Sequence, residues 1–474
     1  MNRLRALVLG VLAAMAGGCA VGPDYRRPDV EKVAAFKEAA DWQPSSPADG
    51  IDRGAWWSIF ADQDLDRLER EVEVSNQNVR AAVAAYDQAR ALVRESRSSF
   101  WPTIGATASR QRTNETVAVA GSTSRNGTPV TSTTDSAGLN ASWDVDVWGQ
   151  LRRTLESNSS SAQASAAALA AARLSAQATL ASDYFQLRAQ DQLQSLLDDT
   201  VRAQQQSLKI TESRYRYGVA AKADVVSAQA QLFSSQSQQV NARVQRAVLE
   251  HAIAVLVGRQ PGNFSIAPAA LRTDVPTVPT GVPSTLLERR PDIAQAERRM
   301  AAANAQIGVA VSSYFPSLTL AASLAYQGNT ISHLITTPNR VWSFGPELAL
   351  SVFDGGLRRA QVAQARGAYE ASVASYRQTV LAAFQQVEDE VATLRILQDQ
   401  AAIEIEAVKA AKEAESLTLD QYKAGTVPYS SVIAAQTTTF SSEQTALTVL
   451  SDRLQASVNL VSALGGGWTT RELP

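Results

Sequence analysis

Cys19 is the residue of this sequence whose surroundings best suit a covalent reaction. It is the only cysteine, and it follows two glycines and an apolar run, residues 6–16, that begins after Arg3 and Arg5. A run of about eleven apolar residues is too short to span a bilayer but has the length of a signal-peptide core. A lone cysteine has no disulfide partner within its own chain. The pattern predicts a signal peptide at residues 1–18 and a lipid on Cys19; an ordinary signal peptide with an incidental cysteine is the alternative.

The rest of the sequence offers little for catalysis. Its two histidines, His251 in a predicted helix and His333 in a predicted loop, have no obvious partners in the sequence. No phosphate-binding loop, metal-binding His/Cys cluster or nucleophile elbow is present. We therefore expect no enzyme activity, no metal and no cofactor beyond the lipid on Cys19. A net charge of −2 gives no reason to expect a nucleic-acid partner.

The chain repeats itself at an offset of about 207 to 214 residues. The clearest match pairs residues 215–218 with residues 422–425, and it continues through residues 225–229 and 432–436. We predict a signal peptide, an anchored N-terminal segment, a first repeat, a Pro-rich connector, a second repeat and a tail, at residues 1–18, 19–60, 61–259, 260–283, 284–464 and 465–474. Within the repeats, β-hairpins are predicted at 101–148 and 316–353, and long helical hairpins at 149–259 and 354–464.

Each half contains a very long helix followed by a return helix. Residues 151–217 contain no Gly or Pro, and at about 1.5 Å per residue they form on the order of 100 Å of helix. The matching residues 357–424 carry apolar side chains at coiled-coil spacing, at Val380, Phe384, Val387, Val391, Leu394, Ala401, Ile405 and Val408. Gly218 and Gly425 follow the long helices, and glycine readily adopts the left-handed conformation that ends a helix. Pro428 is expected in the first turn of the second return helix.

The segments between the helices alternate apolar and polar side chains. The four alternating runs are residues 103–112, 139–147, 318–326 and 342–352. Each is about ten residues, the length of a tilted membrane strand with one face toward lipid and the other toward a lumen. The intervening residues 117–136 and 328–340 are predicted as loops on the outer surface. Half of a soluble β-sandwich is the alternative for any single strand.

Four such strands impose an assembly on the chain. Open sheet edges cannot lie in hydrocarbon, because each unpaired backbone group there costs several kcal/mol. Four strands are also too few to close around a lumen. We therefore predict a barrel shared between chains, with the helical hairpins packed side by side so that they extend the tube into the periplasm.

Several motifs, distributed from Cys19 almost to the C-terminus, are similar to one known family. They are residues 19–25 with Pro28; Trp56, Trp57 and Phe60 with Asp62 and Leu65; residues 290–293, 296–297, 307–310 and 314–316; and the two Tyr-x-x-Gly turns. Together they resemble the outer-membrane factor family, the TolC/OprM-like channels, and within it the lipoprotein branch. The signal segment resembles bacterial lipoprotein signals, except that Ala16 stands where leucine is usual. Ala20, rather than Asp, after the cysteine indicates the outer membrane by the lipoprotein sorting rule.

The resemblance implies a mostly α-helical fold with membrane β-strands. Four strands per chain would complete a shared 12-strand β-barrel in a homotrimer, and long coiled-coil hairpins would form a periplasmic α-barrel. It implies a passive exit duct for small molecules such as drugs, contacting outer-membrane lipid. Energy would come from an inner-membrane RND-type transporter through a periplasmic adaptor protein. An exit channel for secreted proteins and a structural coiled-coil lipoprotein are the alternatives.

Carried over by position, the resemblance places the periplasmic tip and gate at Tyr215, Gly218, Asp224, Tyr422 and Gly425. Asp224 would belong to a constricting acidic ring, in which three carboxylates around a narrow pore attract cations. A solvated acid favoured by the helix dipole is the alternative for Asp224.

The second hairpin departs from common family patterns at Val427, Ser431 and Ala434, where charged gate residues often occur. We therefore expect closure by packing rather than by a salt-bridged lock.

Three acids fall on the predicted lumen face: Asp144, Asp146 and Glu347. They either influence which ions permeate or only keep the lumen wall polar and hydrated. Three tryptophans suit the aromatic girdles at the membrane interfaces: Trp143, Trp148 and Trp342.

Overall fold

The computed structural model of the chain describes residues 20–28, 37, 55–117, 128–278 and 289–468. The predicted signal peptide and Cys19 lie outside the described residues. The elements of the first half are α1 (Gln63–Ser75), α2 (Gln77–Ser98), β1 (Thr103–Val117), β2 (Thr128–Asp144), α3 (Gln150–Arg216) and α4 (Lys222–Leu256). Those of the second half are α5 (Pro291–Ser312), β3 (Ser317–Gly328), β4 (Arg340–Ala349), α6 (Leu357–Ala424) and α7 (Tyr429–Ala463). The predicted order of two strands, very long helix and return helix is confirmed in both halves. Two helices, α1 and α2, precede the strands in the first half, and one helix, α5, precedes them in the second.

The chain folds into two compact units, and each combines segments of both repeats. The sheet unit comprises the described parts of Met1–Pro28, Asp87–Ala164 and Glu297–Ser375. The bend unit comprises the described parts of Asp29–Tyr86, Ser165–Ala296 and Tyr376–Pro474. The repeats are therefore successive in sequence but not separate in space, because the long helices α3 and α6 each contribute to both units.

The sheet unit contains one antiparallel sheet in the order β1-β2-β3-β4. Residues paired across neighbouring strands share a face, so the register shows which side chains lie on the same face of the sheet. One face carries apolar rows, such as Ile104–Ala141–Ala322–Phe344, together with the ion pair of Arg110 and Asp135 at one end, and the other face carries mainly polar rows. The β1 and β4 edges have no partner strand among the described residues. The predicted two-faced sheet is thus present, with both edges open in the single chain.

Several strand bounds differ from the predicted ones. Strand β1 extends to Val117 and β2 begins at Thr128, so residues 128–136 of the predicted 117–136 loop are paired strand, while residues 118–127 lie outside the described residues. Strand β2 ends at Asp144 and β4 at Ala349, earlier than predicted. The Ser/Thr-rich stretch pairs because threonine suits a pleated strand. Hydroxyl groups in this stretch also form hydrogen bonds between the paired strands, as between Ser109 of β1 and Ser136 of β2 at 2.8 Å.

The long helices end close to their predicted bounds. In the heptad stripe of α6, Val380, Val387, Val391 and Leu394 are buried and Phe384 is half-buried, but Ile405, predicted to continue the stripe, is 64% exposed. A straight α-helix drifts by about 20° per heptad relative to a strict seven-residue repeat, which rotates the lower part of the stripe out of the chain's own core. None of the helices among the described residues is both long enough and apolar enough to cross a membrane.

The core of the bend unit forms around the aromatic motif that precedes α1. Trp56, Trp57 and Phe60 are at most 3% exposed and pack with Tyr184 and Phe185 of α3. Burying side chains of this size stabilises the fold by about 1.5–3 kcal/mol each. This motif therefore attaches the N-terminal part of the unit to the long helix.

One acid lies within this core. Glu69 of α1 is fully buried, and neither carboxylate oxygen has a hydrogen-bond partner among the described residues. Burial first, and the nearby Asp66 second, raise the pKa of Glu69 from 4.5 to about 9. The folded chain therefore holds this side chain as a neutral acid near neutral pH.

We predict that Glu69→Gln reduces the loss of stability at high pH. Between pH 4.5 and about 9 the folded state keeps the Glu69 proton while the unfolded state loses it, so this residue lowers stability as pH rises through that window. Thermal unfolding from about pH 5 to about pH 8.5 should show a smaller decrease in the variant than in the wild type. Glu73→Gln, on the exposed side of α1, is the control and should behave as wild type. Equal pH dependence of wild type and Glu69→Gln would contradict the prediction.

Candidate functional site

The two helical hairpins bend through identical backbone turns. Gly218 (φ +72°) and Gly425 (φ +81°) adopt the left-handed conformation. Each glycine N–H bonds the carbonyl of the tyrosine three residues earlier, Tyr215 or Tyr422, at 2.9 Å. The next N–H bonds the carbonyl five residues earlier, at 2.8 Å in the first turn and 3.0 Å in the second. These pairs of bonds form the Schellman motif, which satisfies the last carbonyls of a helix.

The two turns differ in the environment of their tyrosines. Tyr215 is 45% exposed, whereas Tyr422 is 3% exposed. Tyr422 belongs to a buried cluster at the bends, together with Ala228, Tyr429 and Val432. We call these four residues the tip cluster. The cluster joins the second bend to the first hairpin, so the equivalence suggested by the repeat extends to the backbone but not to the side chains.

Arg214 adds a second connection between the hairpins. Its guanidinium lies over the Tyr422 ring, 4.8 Å from the ring centre, and Nη1 donates to the Lys423 carbonyl at 2.7 Å. The Tyr422 hydroxyl donates to Thr211 Oγ1 at 3.3 Å. A cation over an aromatic face contributes about 0.5–2 kcal/mol. Sequence reasoning missed Arg214, because its partner lies in the other repeat; its position four residues before Gly218 is the only local signal.

Asp224 lies beside the tip cluster, in the first turn of α4. Its Oδ2 accepts the Ala221 N–H at 3.3 Å, so the carboxylate caps the helix. Burial raises the pKa of Tyr429 to about 12, with smaller effects from Tyr422 and from Asp224. Asp224 thus makes a helix-capping hydrogen bond and also contributes to the raised pKa of Tyr429 in the tip cluster.

The three positions of the second hairpin that lack the family's usual charged residues differ in their burial. Val427 packs against the tip cluster, Ser431 is half-buried, and Ala434 is exposed. Pro428, expected in the first turn of α7, occupies the N-cap instead. Its extended backbone there is compatible with the fixed φ of proline.

Acids and a hydroxyl form one row on the polar face of the sheet. The register places Asp144 opposite Thr319, and Thr319 opposite Glu347. Thr319 Oγ1 donates to Asp144 Oδ1 at 2.7 Å. Two carboxylates thus lie on neighbouring sides of one β3 residue, on the face predicted to line the lumen.

Asp146 does not belong to this row, contrary to the prediction. It follows the end of β2, and its carboxylate accepts the N–H groups of Leu151 and Arg152 at 3.0 Å each and Arg152 Nε at 3.1 Å. A carboxylate at this place satisfies unpaired N–H groups and favours the positive helix end. Asp146 therefore starts α3 rather than lining the sheet.

The described N-terminal residues are tied to the end of the sheet unit where the strands meet the helices. The Val21 N–H donates to the Trp148 carbonyl at 3.1 Å, and Arg153 pairs with Asp24 at 2.8 Å. The Trp148 ring stacks on Phe315 with ring centres 4.8 Å apart. Val21, two residues after Cys19, is thus bonded to the backbone of a residue whose ring belongs to an aromatic stack.

The other two predicted girdle tryptophans lie on the apolar face of the sheet. Trp143 is 38% exposed and donates from Nε1 to the Phe100 carbonyl at 3.0 Å, and Trp342 is 69% exposed. The two histidines are exposed. Within the part of the chain that the structure describes, no group of three or more His, Cys, Asp or Glu could hold a metal ion.

Comparison with known proteins identifies this architecture. The family described as outer membrane efflux protein matches residues 68–259 and 282–466, which leaves out most of the connector. The chain is 30% identical over 468 residues to the probable efflux pump outer membrane protein TtgC of Pseudomonas putida, covering 98% of this chain and 95% of the relative. It is 29% identical over 459 residues to the cation efflux system protein CusC of Escherichia coli, covering 95% and 96%.

Solved structures agree with the sequence relatives. The outer-membrane channel OprN superposes with a TM-score of 0.87 at 29% identity, covering 95% of this chain and all of that chain. The open state of the Neisseria gonorrhoeae MtrE outer membrane channel gives 0.82 at 27% identity, covering 95% and 99%. The chain belongs to the outer membrane efflux protein family and is an outer-membrane channel of a tripartite efflux system.

Proposed function

We propose that three copies of the chain assemble into one passive exit duct for small molecules. The observation that carries the proposal is the four-stranded sheet with one apolar face, one polar face and two free edges. Free edges in hydrocarbon leave N–H and C=O groups unpaired at a cost of several kcal/mol each. Pairing β4 of one copy with β1 of the next removes both edges, and three copies make a closed barrel of twelve strands.

The energy for transport comes from outside the chain in this proposal. The sequence contains no nucleotide-binding motif. The bends, in the periplasm, meet a periplasmic adaptor protein that links the duct to an inner-membrane RND-type transporter. Names of relatives mention toluene, antibiotics and cations, and this variety supports a duct whose cargo is chosen by the pump. We assign the chain to small organic molecules such as drugs.

A lipid on Cys19 supplies the second membrane contact in this proposal. Support comes from the Val21 N–H donating to the Trp148 carbonyl, since the Trp148 ring stacks on Phe315 and aromatic rings favour the membrane interface. An acyl chain on Cys19 would then enter the bilayer beside the sheet.

Reconstitution tests the duct directly. Purified mature protein should run as a heat-resistant oligomer of about three chains, each slightly smaller than the 50.6 kDa of the full sequence, and give ion conductance in planar bilayers. Asp144→Asn combined with Glu347→Gln should lower cation over anion selectivity, because both carboxylates lie on the polar face. Arg97→Gln, outside the sheet, is the control. A water-soluble monomer without conductance would refute the duct.

Asp224→Asn should shift the reversal potential toward lower cation selectivity if three copies of this acid ring the pore. The amide oxygen can still accept the Ala221 N–H, so the cap is retained while the charge is lost. Asp420→Asn, also near the bends but paired with Lys423, is the control. An unchanged reversal potential in Asp224→Asn, in channels that conduct normally, would eliminate the acidic ring.

Cys19→Ser should abolish incorporation of labelled fatty acid, because the lipid needs the thiol. Mass spectrometry of the mature N-terminus of wild type should show a diacyl-glyceryl modification on Cys19. A free thiol on Cys19 in the mature wild-type protein would contradict the lipid anchor.

A further inference from the structure

The apolar face of the sheet ends in arginines on both edge strands. On β1 the side chains of this face run from Ile104 through two alanines to Arg110 and Arg112. On β4 they run from Leu348 back to Arg340, the first residue of the strand. The described residues of the two central strands place no arginine on either face. The basic side chains of the apolar face thus lie on the two strands whose outer edges are open.

These arginines are exposed and outnumber the acids around them. The Arg110 side chain is 62% exposed, and Arg112 and Arg340 are exposed as well. Among the described strands the apolar face carries one acid, Asp135, which is 2% exposed and lies 3.2 Å from Arg110 Nε. The accessible charge at this end of the face is therefore positive.

The arginines lie at the end of the sheet that points away from the helices. Strand β1 follows α2 and reaches its arginines late, whereas β4 starts at Arg340 and leads toward α6. Because the helices of an outer-membrane channel extend into the periplasm, the opposite end of the sheet faces the outer leaflet. The three side chains therefore belong to the outer side of the membrane.

Their spacing along the strands matches the depth of a membrane interface. Leu348 and Arg340 are eight residues apart on β4, as are Ile104 and Arg112 on β1. At about 3.4 Å per residue this is about 27 Å of strand, and a tilt of about 40° reduces it to about 20 Å of height. The apolar band of a membrane barrel is about 25 Å tall, and charged side chains on its lipid face are tolerated only near its limits.

Arginine has a chemical reason to occur at this depth. The outer leaflet of an outer membrane is rich in glycolipids whose headgroups carry phosphate, and a guanidinium binds a phosphate through two parallel hydrogen bonds. Tyr326 lies directly opposite Arg340 in the register and adds a hydroxyl group to the same face. An arginine whose stem covers apolar surface while its head reaches water is the alternative.

We propose that Arg110 and Arg112 of one copy, together with Arg340 of the next copy, bind the phosphate of an outer-leaflet glycolipid. The proposal rests on the shared barrel of the preceding section, because pairing β4 of one copy with β1 of the next brings the arginines of both edge strands to one subunit boundary. Three boundaries give three sites in the trimer. The apolar rows below the arginines then contact the acyl chains of the bound lipid.

Native mass spectrometry of the detergent-solubilised oligomer tests the site, with lipid A as the probe. Wild type should retain up to three lipid A molecules per oligomer. The variant that combines Arg110→Gln, Arg112→Gln and Arg340→Gln should bind lipid A about tenfold more weakly or worse, because charge-assisted hydrogen bonds to the phosphate are lost. Wild-type affinity in this variant would overturn the proposal.

A matched control removes the same number of exposed arginines outside the sheet, and it should bind lipid A like wild type: Arg94→Gln, Arg97→Gln and Arg366→Gln. Lipid A stripped of its phosphates should bind to wild type as weakly as intact lipid A binds to the first variant. Equal affinity of wild type for the two lipids would overturn the phosphate site and leave arginines that only reach water.

Mixed oligomers test whether two copies share each site. One chain carries Arg340→Gln, and a second, differently tagged chain carries Arg110→Gln with Arg112→Gln. Oligomers of either chain alone should have no intact site, whereas every mixed trimer contains one boundary at which all three arginines remain and should recover one tightly bound lipid A. Mixed oligomers that conduct normally but recover no site would overturn the shared site and leave the duct intact. Loss of oligomer and conductance in the wild-type protein would instead refute the duct itself.

Discussion

A backbone group without a partner cannot remain in hydrocarbon, and this constraint organises the protein. Within the described part of the chain, the four-stranded sheet satisfies the constraint internally but leaves the N–H and C=O groups of β1 and β4 without partners on their outer sides. Most of its rows sort into an apolar face and a face bearing Asp144, Thr319 and Glu347, although the Arg110–Asp135 ion pair lies at one end of the apolar face. Such a sheet suits an outer-membrane channel only as one part of a larger closed surface, because closure removes edges and separates lipid from water in one step.

The helical part solves a different problem with related geometry. Water can hydrogen-bond to exposed backbone groups there. Exposed apolar side chains, rather than unpaired amides, therefore need a neighbouring surface. Helices α4 and α6 each expose large apolar side chains in the single chain, such as Phe233 and Ile403, much as β1 and β4 each leave one strand edge unpaired among the described residues. In each case the two free surfaces differ from one another, and unlike surfaces lead to rings rather than to two-fold dimers.

The bends show how a duplicated element can diverge. Gly218 and Gly425 make the same hydrogen bonds, because the termination of a helix depends on local backbone conformation. The side chains around them differ in their environments: Tyr422 is buried under Arg214, whereas Tyr215 is exposed. With Val427 packed on the tip cluster, the described contacts between hairpins at this end are hydrogen bonds and aromatic, apolar and cation–π contacts rather than a salt bridge.

Local patterns in the sequence are enough to predict much of the secondary structure of this protein. Periodicity of two assigned the faces of the strands, the long Gly- and Pro-free stretches assigned α3 and α6, and two glycines located the bends. These features depend on a few neighbouring residues, which is why the sequence reveals them. Family motifs added the channel class.

Only the tertiary structure decided the features that depend on distant partners. Asp146 continues the alternation of β2 in sequence, yet it caps α3, because unpaired N–H groups of the helix compete for its carboxylate. Glu69 of α1 is buried in the core, and Arg214 gains its partner from a helix about two hundred residues away. Which apolar positions of α4 and α6 stay uncovered also required the packed chain, since a helix surface is defined by what lies against it.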